Sequence, residues 1–343
     1  MNKDTHSTSY YPVGKLPQED LMELLQSQHT EAPRVILGPG LGRDAAVINF
    51  GERYLVTKSD PITFATDEIG WYVVHVNAND IACLGASPLW FIATLLLPEG
   101  KTNKAMINTI AEQIHTGCTE VGAVLVGGHT EITHGLNRPI AIGTMFGEVH
   151  PDKLVRSDGA QPGDKLILTK GIAVEGTALL AREAKEHLKS TVPEDLLTRA
   201  AHFLHDPGIS VVQDAAIIHA SGEVHAMHDP TEGGVATGLR EITEAAGVGA
   251  VIEADALPIF PETRTLCQAL HLDPLGVIAS GALLASVAPQ DAAPILSALQ
   301  TADIPAAIIG TVRKTPGVVI HDTSGEHPLP IFQRDEIARL FEK

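Results

Sequence analysis

The chain has 343 residues, 44% of them hydrophobic and 19% charged, which suits about two domains with sizeable cores. A formal charge of −18 leaves no basic patch for a nucleic-acid backbone or an anionic membrane surface, so both are excluded as partners. Three widely spaced cysteines, Cys83, Cys118 and Cys267, with no CxxC pair, exclude a disulfide framework or thiolate zinc site and read as small buried hydrophobes.

Residues 1–33 read as a polar arm followed by a short helix in PQEDLMELLQSQ. Met1 to Tyr11 lacks the basic-then-apolar pattern of a signal peptide, and no run of 18 apolar residues follows, so a soluble cytoplasmic protein is expected. Residues 34–153 form a first unit, with strands expected at AAVINF, RYLVTKSD, AVLVGG and IAIGTMFGEV and helices over about 70–85 and 102–121. The turn-rich PDKLVRSDGAQPGDKLIL crosses into a second unit, 154–343. There a strand at KLILTK, helices over 175–188, near 208–220 and over 230–246, and strands near ALLASV, AAIIGTV and GVVIHD are expected. Strands alternating with helices argue an α/β or α+β layered class.

Five stretches carry chemistry. GPGLGRDAAVI runs through several glycines, Gly42 among them, to Asp44 and then into a strand. No helix follows, so it is no dinucleotide fingerprint, and without GK[ST] it is no P-loop; a tight turn with a solvated Asp is the bland alternative. TKSDPITF puts Asp60 at a strand end before a proline, a frequent address for a ligand-facing carboxylate. Lys58, two residues earlier, meets a phosphate on the sharper reading and is an ordinary surface lysine on the blander one, as is Lys15. GWYVVHVNANDIACLGASP sets Asn79 and Asp80, both poor helix formers, inside a helix among apolar neighbours. VLVGGHTEI ends a strand in Gly127 and Gly128, then offers His129 and Thr130 to a nucleotide, or else forms a hairpin or bulge.

The fifth stretch is MHDPTEGGVATGLREI. Asp229-Pro230-Thr231-Glu232 reads as a helix start with a capping box, and Val235, Leu239 and Ile242 recur at helical spacing up to Gly247. Gly233 and Gly234 in the first turn each cost about 0.5–1 kcal/mol relative to Ala. Their bare backbone admits either an anion at the helix N-terminus or another chain segment. Asp44, Asp60, Asp80 and Asp229 all stand at element ends or in unlikely helical slots. Oxygen ligands of that kind, converging on Mg²⁺, would let so acidic a chain hold ATP. His202, His205, His225 and His228 repeat as H-x-x-H-D-P and raise a separate reading, a zinc metallohydrolase.

These five stretches, in this order over about residues 34–325, resemble the superfamily of aminoimidazole ribonucleotide (AIR) synthetase, which includes selenophosphate synthetase, thiamine-monophosphate kinase and the hydrogenase maturation protein HypE. GRDAAVI is similar to the family's GDDAAV, TKSD to TTD, NANDIACLGASP to VNDLAxMGAxP, and GGHTEI to GGDT, GGET or GGHS. HDPTEGGVATGLREI resembles DPTRGGLA of HypE, and LTKGIAVEGTALLARE the HypE-like opening of the second domain. The resemblance implies a PurM-like fold of two α/β domains. The N-terminal, ATP-binding domains would pair in a homodimer barrel, and the C-terminal domain would be an α/β sandwich. It implies Asp44, Asp80 and Asp229 as Mg²⁺ ligands. Gly42, Asp60, Asn79, Gly127, Gly128, His129, Thr130, Thr231, Gly233 and Gly234 would bind nucleotide, the Gly127–Thr130 group from either subunit, and Asp80, His129 and Lys58 are candidate catalytic groups.

The departures from the pattern are specific. Arg43 stands where the family has its first Asp, the terminal ARLFEK lacks HypE's acceptor cysteine, and Lys15 has no cysteine beside it as in selenophosphate synthetase. His129 matches the selenophosphate branch. The expected function is therefore that of an AIR synthase-related enzyme using Mg·ATP to activate or phosphorylate a small molecule. A non-catalytic ATP-binding maturation scaffold is the alternative.

Overall fold

The structure, a computed structural model, describes residues 16, 18–27, 32–40, 43–63 and 67–341. Gly42 and Lys15 lie outside them. The first half runs α1 (Gln18–Ser27), β1 (Val35–Leu37), β2 (Ala46–Asn49), β3 (Tyr54–Ile62), α2 (Ile69–Cys83), β4 (Ser87–Pro98), α3 (Lys104–Val121), β5 (Val124–Thr133) and β6 (Ile140–Val149). Its six strands form one sheet in the order β1-β2-β3-β6-β4-β5, antiparallel except for the β4–β5 pair. The second half runs β7 (Lys165–Thr169), α4 (Val174–Glu183), α5 (Lys185–Leu188), α6 (Glu194–Ala201), α7 (Val212–Ser221), β8 (Val224–His228), α8 (Gly234–Ala245), β9 (Gly249–Glu253), α9 (Pro261–Leu270), β10 (Leu284–Val287), α10 (Ala292–Thr301), β11 (Ala306–Arg313), β12 (Gly317–Asp322) and β13 (Gly325–Pro328). These seven strands are ordered β13-β12-β9-β11-β7-β10-β8, with β12 and β9 parallel.

Helices form in each stretch where the sequence predicts one, and α6, α9 and α10 form where none is expected. Asn103 caps α3 by accepting from the Met106 N–H at 3.0 Å. The stretch 175–188 is broken after Glu183 into α4 and α5. β4, the longest strand at 12 residues, is absent from the sequence expectations. Its run LWFIATLLLP is apolar at nearly every position and so lacks the alternating pattern, although along the strand fully buried residues alternate with half-buried ones.

One hydrophobic core joins the halves. Val56, Val74, Ile81, Phe91 and Met145 of the first sheet and α2 share a buried cluster with Val155, Ile167, Val211, Ile218, Met227 and Leu283. Where α2 crosses that cluster its side chains touch both sheets, and the polar residues on its inward face are placed at the seam. Among the described residues no helix is long and apolar enough to cross a membrane.

Candidate metal and nucleotide site

Four carboxylates from four separate segments meet at this seam. Asp44 lies two residues before β2, Asp60 lies on β3, Asp80 on α2, and Asp229 follows the end of β8. The two sheets and α2 thus supply one edge each. Lys58 and Asp60, two apart on a strand, share a face, while Asn77 and Asp80, three apart on a helix, sit on adjoining turns. The Lys58 ammonium reaches 3.3 Å from Asp60 Oδ2 and 3.4 Å from Asp80 Oδ2. Donor atoms of Asp44, His228 and Asp229 all lie within 4.8 Å of one another.

Asp60 sits within β3, not after it. β2 pairs only with residues 54–57, so beyond them β3 has a strand neighbour on the β6 side alone, and Pro61 is tolerated there. The open side is filled by a side chain. Asn77 Oδ1 accepts from the Asp60 N–H at 2.8 Å, and its Nδ2 donates to the Asp60 carbonyl at 3.2 Å and to the Val73 carbonyl at 2.8 Å. A buried amide thereby does the work of a missing strand and fixes the carboxylate bearer.

The electrostatics follow from burial. Asp80 and Asp229 are both buried. Burial pushes the Asp80 carboxyl well above its ordinary range, against the pull of Lys58. Burial and then the nearby Asp44 push Asp229 up to about 7. Burial alone would lower the Lys58 and His228 values, yet both are raised: Asp80, Asp60, Asp44 and Asp229 surround the lysine, and Asp44 and Glu241 hold the imidazole. His228 Nδ1 lies 2.9 Å from Asp44 Oδ1 and Nε2 lies 2.9 Å from Glu241 Oε2. A neutral ring has one N–H, so only the imidazolium satisfies both contacts.

A hard divalent cation fits these residues. Asp44 Oδ2 is buried without a hydrogen-bond partner, an orphaned acceptor facing a second carboxylate. Both nitrogens of His228 are taken, so the donor set is oxygen only, which favours Mg²⁺ over zinc.

Several expected residues are elsewhere. Asn79 is fully buried, with Nδ2 donating to the Ile209 carbonyl and Oδ1 accepting from the Val211 N–H, both at 2.9 Å. It ties α2 to the second half. Gly127 to Thr130 lie in mid-strand on β5, because the strand runs on to Thr133; a bulge at Val126 directly precedes the glycines. In the sheet order β5 is three strands from β3, roughly 14 Å at about 4.8 Å per strand, so His129 and Thr130 are apart from Asp60 within one chain. Arg43 turns back, donating to the Gly38 carbonyl at 3.0 Å, and does not join the carboxylates.

The helix expected from residue 230 starts later. Gly233 (φ 79°) and Gly234 (φ 65°) are left-handed, so α8 begins at Gly234 and Asp229 makes no capping box; it is drawn to the cluster instead. A Cβ on Gly234 would lie 2.4 Å from the Leu275 carbonyl oxygen, and one on Gly233 2.3 Å from Thr237 Oγ1. The Gly233 N–H donates to Asp335 Oδ2 at 2.8 Å, while the Thr231 carbonyl accepts from the Gly234 and Ala279 N–H groups. The left-handed backbone of both glycines, with the Leu275 carbonyl against Gly234 and the Thr237 hydroxyl against Gly233, gives the pair a packing reason. Gly247 (φ 67°) does follow the helix end as expected.

The four histidines are not gathered. His225 and His228 are an odd number apart on β8 and face opposite ways; His225 contacts Asp164 at 2.9 Å. His205 contacts Glu68 at 2.6 Å, and the His202 ring is 5.7 Å from that of His205. Among the described residues no zinc centre is formed from them. The residues that sequence reasoning missed are Asn77, Glu241 and the thiol of Cys83, which lies 3.5 Å from Asp229 Oδ1. Asn77 was legible as a third polar residue, two before Asn79 in the same apolar helix; Glu241 carried no signal.

Comparison with known proteins agrees with this architecture. Residues 42–149 match the model for the N-terminal domain of AIR synthase related protein, and residues 161–323 that for its C-terminal domain. A putative hydrogenase expression/formation protein of Methanocaldococcus jannaschii is 28% identical over 95% of this chain and 97% of its own. A carbamoyl dehydratase HypE of Rhizobium leguminosarum bv. viciae is 33% identical over 74% of this chain and 70% of its own. The crystal structure of hydrogenase maturation protein HypE in complex with ATP superposes with a TM-score of 0.70 at 22% identity, covering 95% of this chain and 97% of that one, so the fold is PurM-like. On fold, domain models and sequence together, the chain belongs to the AIR synthase related family.

Proposed function

We propose that the chain is an ATP-dependent enzyme in which Asp44, Asp80 and Asp229 hold the phosphates of ATP through Mg²⁺, with Asp60 lining the nucleotide site, and that the γ-phosphoryl group activates or phosphorylates a small molecule. The observation that carries this reading is the convergence of carboxylates from four segments on one seam, with an unpartnered buried oxygen on Asp44. Like charges so placed repel unless protons or cations intervene, and nothing in folding alone calls for them. Relatives named carbamoyl dehydratase and selenide, water dikinase, and a HypE solved with ATP, support the reading.

Bound Mg²⁺ would supply charge neutralisation and orientation of the phosphates. The chain's own part is positioning. Asn77 holds the Asp60 backbone, and Glu241 holds the His228 imidazolium, which in turn orients Asp44. A homodimer completes the arrangement in this reading. β5 is an edge strand whose Val124, Leu125, Val126 and Ile132 are all about half exposed, an edge that proteins normally cover. Pairing two copies there would bring one copy's His129 and Thr130 towards the other's carboxylates.

Calorimetric titration with ATP, with and without Mg²⁺, tests the reading. Binding should require the metal and should weaken at least tenfold in Asp80→Ala while the far-UV circular dichroism is unchanged. Equal affinity in the variant overturns it.

A further inference from the structure

A lysine set among cation-binding carboxylates competes with the cation. Lys58 is such a residue: its ammonium lies between Asp60 Oδ2 at 3.3 Å and Asp80 Oδ2 at 3.4 Å, and its side chain is only 23% exposed. The placement is enforced twice. The strand periodicity of β3 puts Lys58 on the face of Asp60, and α2 lays Asp80 over that face, with Asn77 pinning the strand from the same helix. The lysine cannot be an ordinary surface residue, because four carboxylates act on it.

The carboxylates fall into two groups around it. Asp60 and Asp80 are bridged by the ammonium, whereas Asp44 and Asp229 face each other beside the His228 imidazolium, with Asp44 Oδ2 left unpartnered. Both sides thus hold a cation, but the imidazolium takes only Asp44 Oδ1, so the free acceptor capacity, Asp44 Oδ2, is on the second side. We propose that Lys58 is a tethered cation that takes the place of a further divalent ion between Asp60 and Asp80, leaving the metal to Asp44 and Asp229. Asp80 stands at the border of the two groups. The inference rests on the reading of this cluster as a Mg·nucleotide site.

Two physical arguments favour it. Mg²⁺ demands oxygens at about 2.0–2.1 Å in octahedral order, so an ion in that wedge must first expel the ammonium. A tethered charge, moreover, is present at any metal concentration, and spares the site the capture of a second ion. Two cations held at such short range repel in a partly buried place, so one excludes the other.

Manganese, a spin-active stand-in for magnesium, provides the test. Electron paramagnetic resonance titration in the presence of a non-hydrolysable ATP analogue counts the Mn²⁺ ions bound per chain. Lys58→Met should bind one more Mn²⁺ than the wild type, with at least tenfold tighter affinity for that ion. Lys58→Arg, which keeps the charge, should match the wild type. An unchanged count and affinity in the methionine variant overturns the proposal. Because that variant removes the counter-charge of buried Asp80 and of half-buried Asp60 and can misfold, crystals of the wild type soaked with Mn²⁺ and the analogue give a second arm. An anomalous peak between Asp60 and Asp80 overturns the tethered-cation role while leaving the nucleotide site standing. Failure of the wild type to bind the analogue with any metal instead overturns the reading on which the proposal rests.

Discussion

At the scale of single residues, the seam is a set of charges that folding forces together. Asp229 has an ordinary value of 3.8 and is pushed up to about 7 in the folded chain by burial and by Asp44. The folded state thus keeps a proton that the unfolded state releases, so stability present below about pH 4 is lost as the pH rises towards 7. His228 is raised well above 6.5 and has the same sign, its contribution being lost at higher pH still. Metal-free wild type should therefore melt lower at pH 8 than at pH 5, and Asp229→Asn should flatten that slope by on the order of 3 kcal/mol, two units at 1.36 each. His75, held down near 4 by burial, has the opposite slope below 6.5 but is common to both proteins and cancels in the difference. Thermal melts of the two proteins in chelator at pH 5 and 8 check this, and parallel slopes would refute it. Addition of Mg²⁺ and ATP should remove most of the wild-type slope, since metal takes the proton's place.

At the scale of elements, two devices position the carboxylates: the amide clamp of α2 on β3 and the tight entry into α8. Asn77→Ala leaves the Asp60 N–H and carbonyl without their partner in a partly buried place, which should cost about 1–3 kcal/mol. It should also weaken Mg·ATP binding, whereas Asn79→Ala should cost similar stability by loosening α2 from Ile209 and Val211. A protease-susceptibility assay with a nucleotide titration separates the two outcomes. The glycines make a sharper pair. Gly234→Ala must hold a left-handed backbone and strike the Leu275 carbonyl, for a loss of about 2–4 kcal/mol. Gly247→Ala is equally left-handed but meets nothing within 4 Å, so about 1–2 kcal/mol is expected. Equal denaturant midpoints for the two variants would contradict the packing account of α8.

At the scale of the whole molecule, the proposed function needs two copies. Leu125→Glu on the exposed edge of β5 should convert a sedimenting dimer to a monomer at micromolar concentration and should abolish nucleotide turnover while leaving each chain folded. Asp80→Asn and His129→Ala should each be inactive alone. Mixed and allowed to exchange, they should recover about one quarter of the wild-type activity, because half of the dimers are then mixed and each mixed dimer has one intact site. No recovery would mean that His129 serves its own chain or none.

Local signals determined a good part of this. Helical spacing marked α8, though not from the cap expected at Asp229, strand-like runs marked β3 and β6, and five short stretches in order carried the family. They also marked Asp44, Asp60, Asp80 and Asp229, because a carboxylate in an apolar or glycine-rich setting is out of place in any local reckoning. What no local pattern contains is a distance between residues on different elements. Only the tertiary structure decided that Lys58 bridges two of those acids, that Glu241 anchors His228, and that Gly234 of α8 meets Leu275. It also decided that the repeated histidines diverge, since β8 turns alternate residues to opposite faces. Propensity and periodicity act within a few turns of chain, whereas charge, packing and hydrogen bonding at a site act through space.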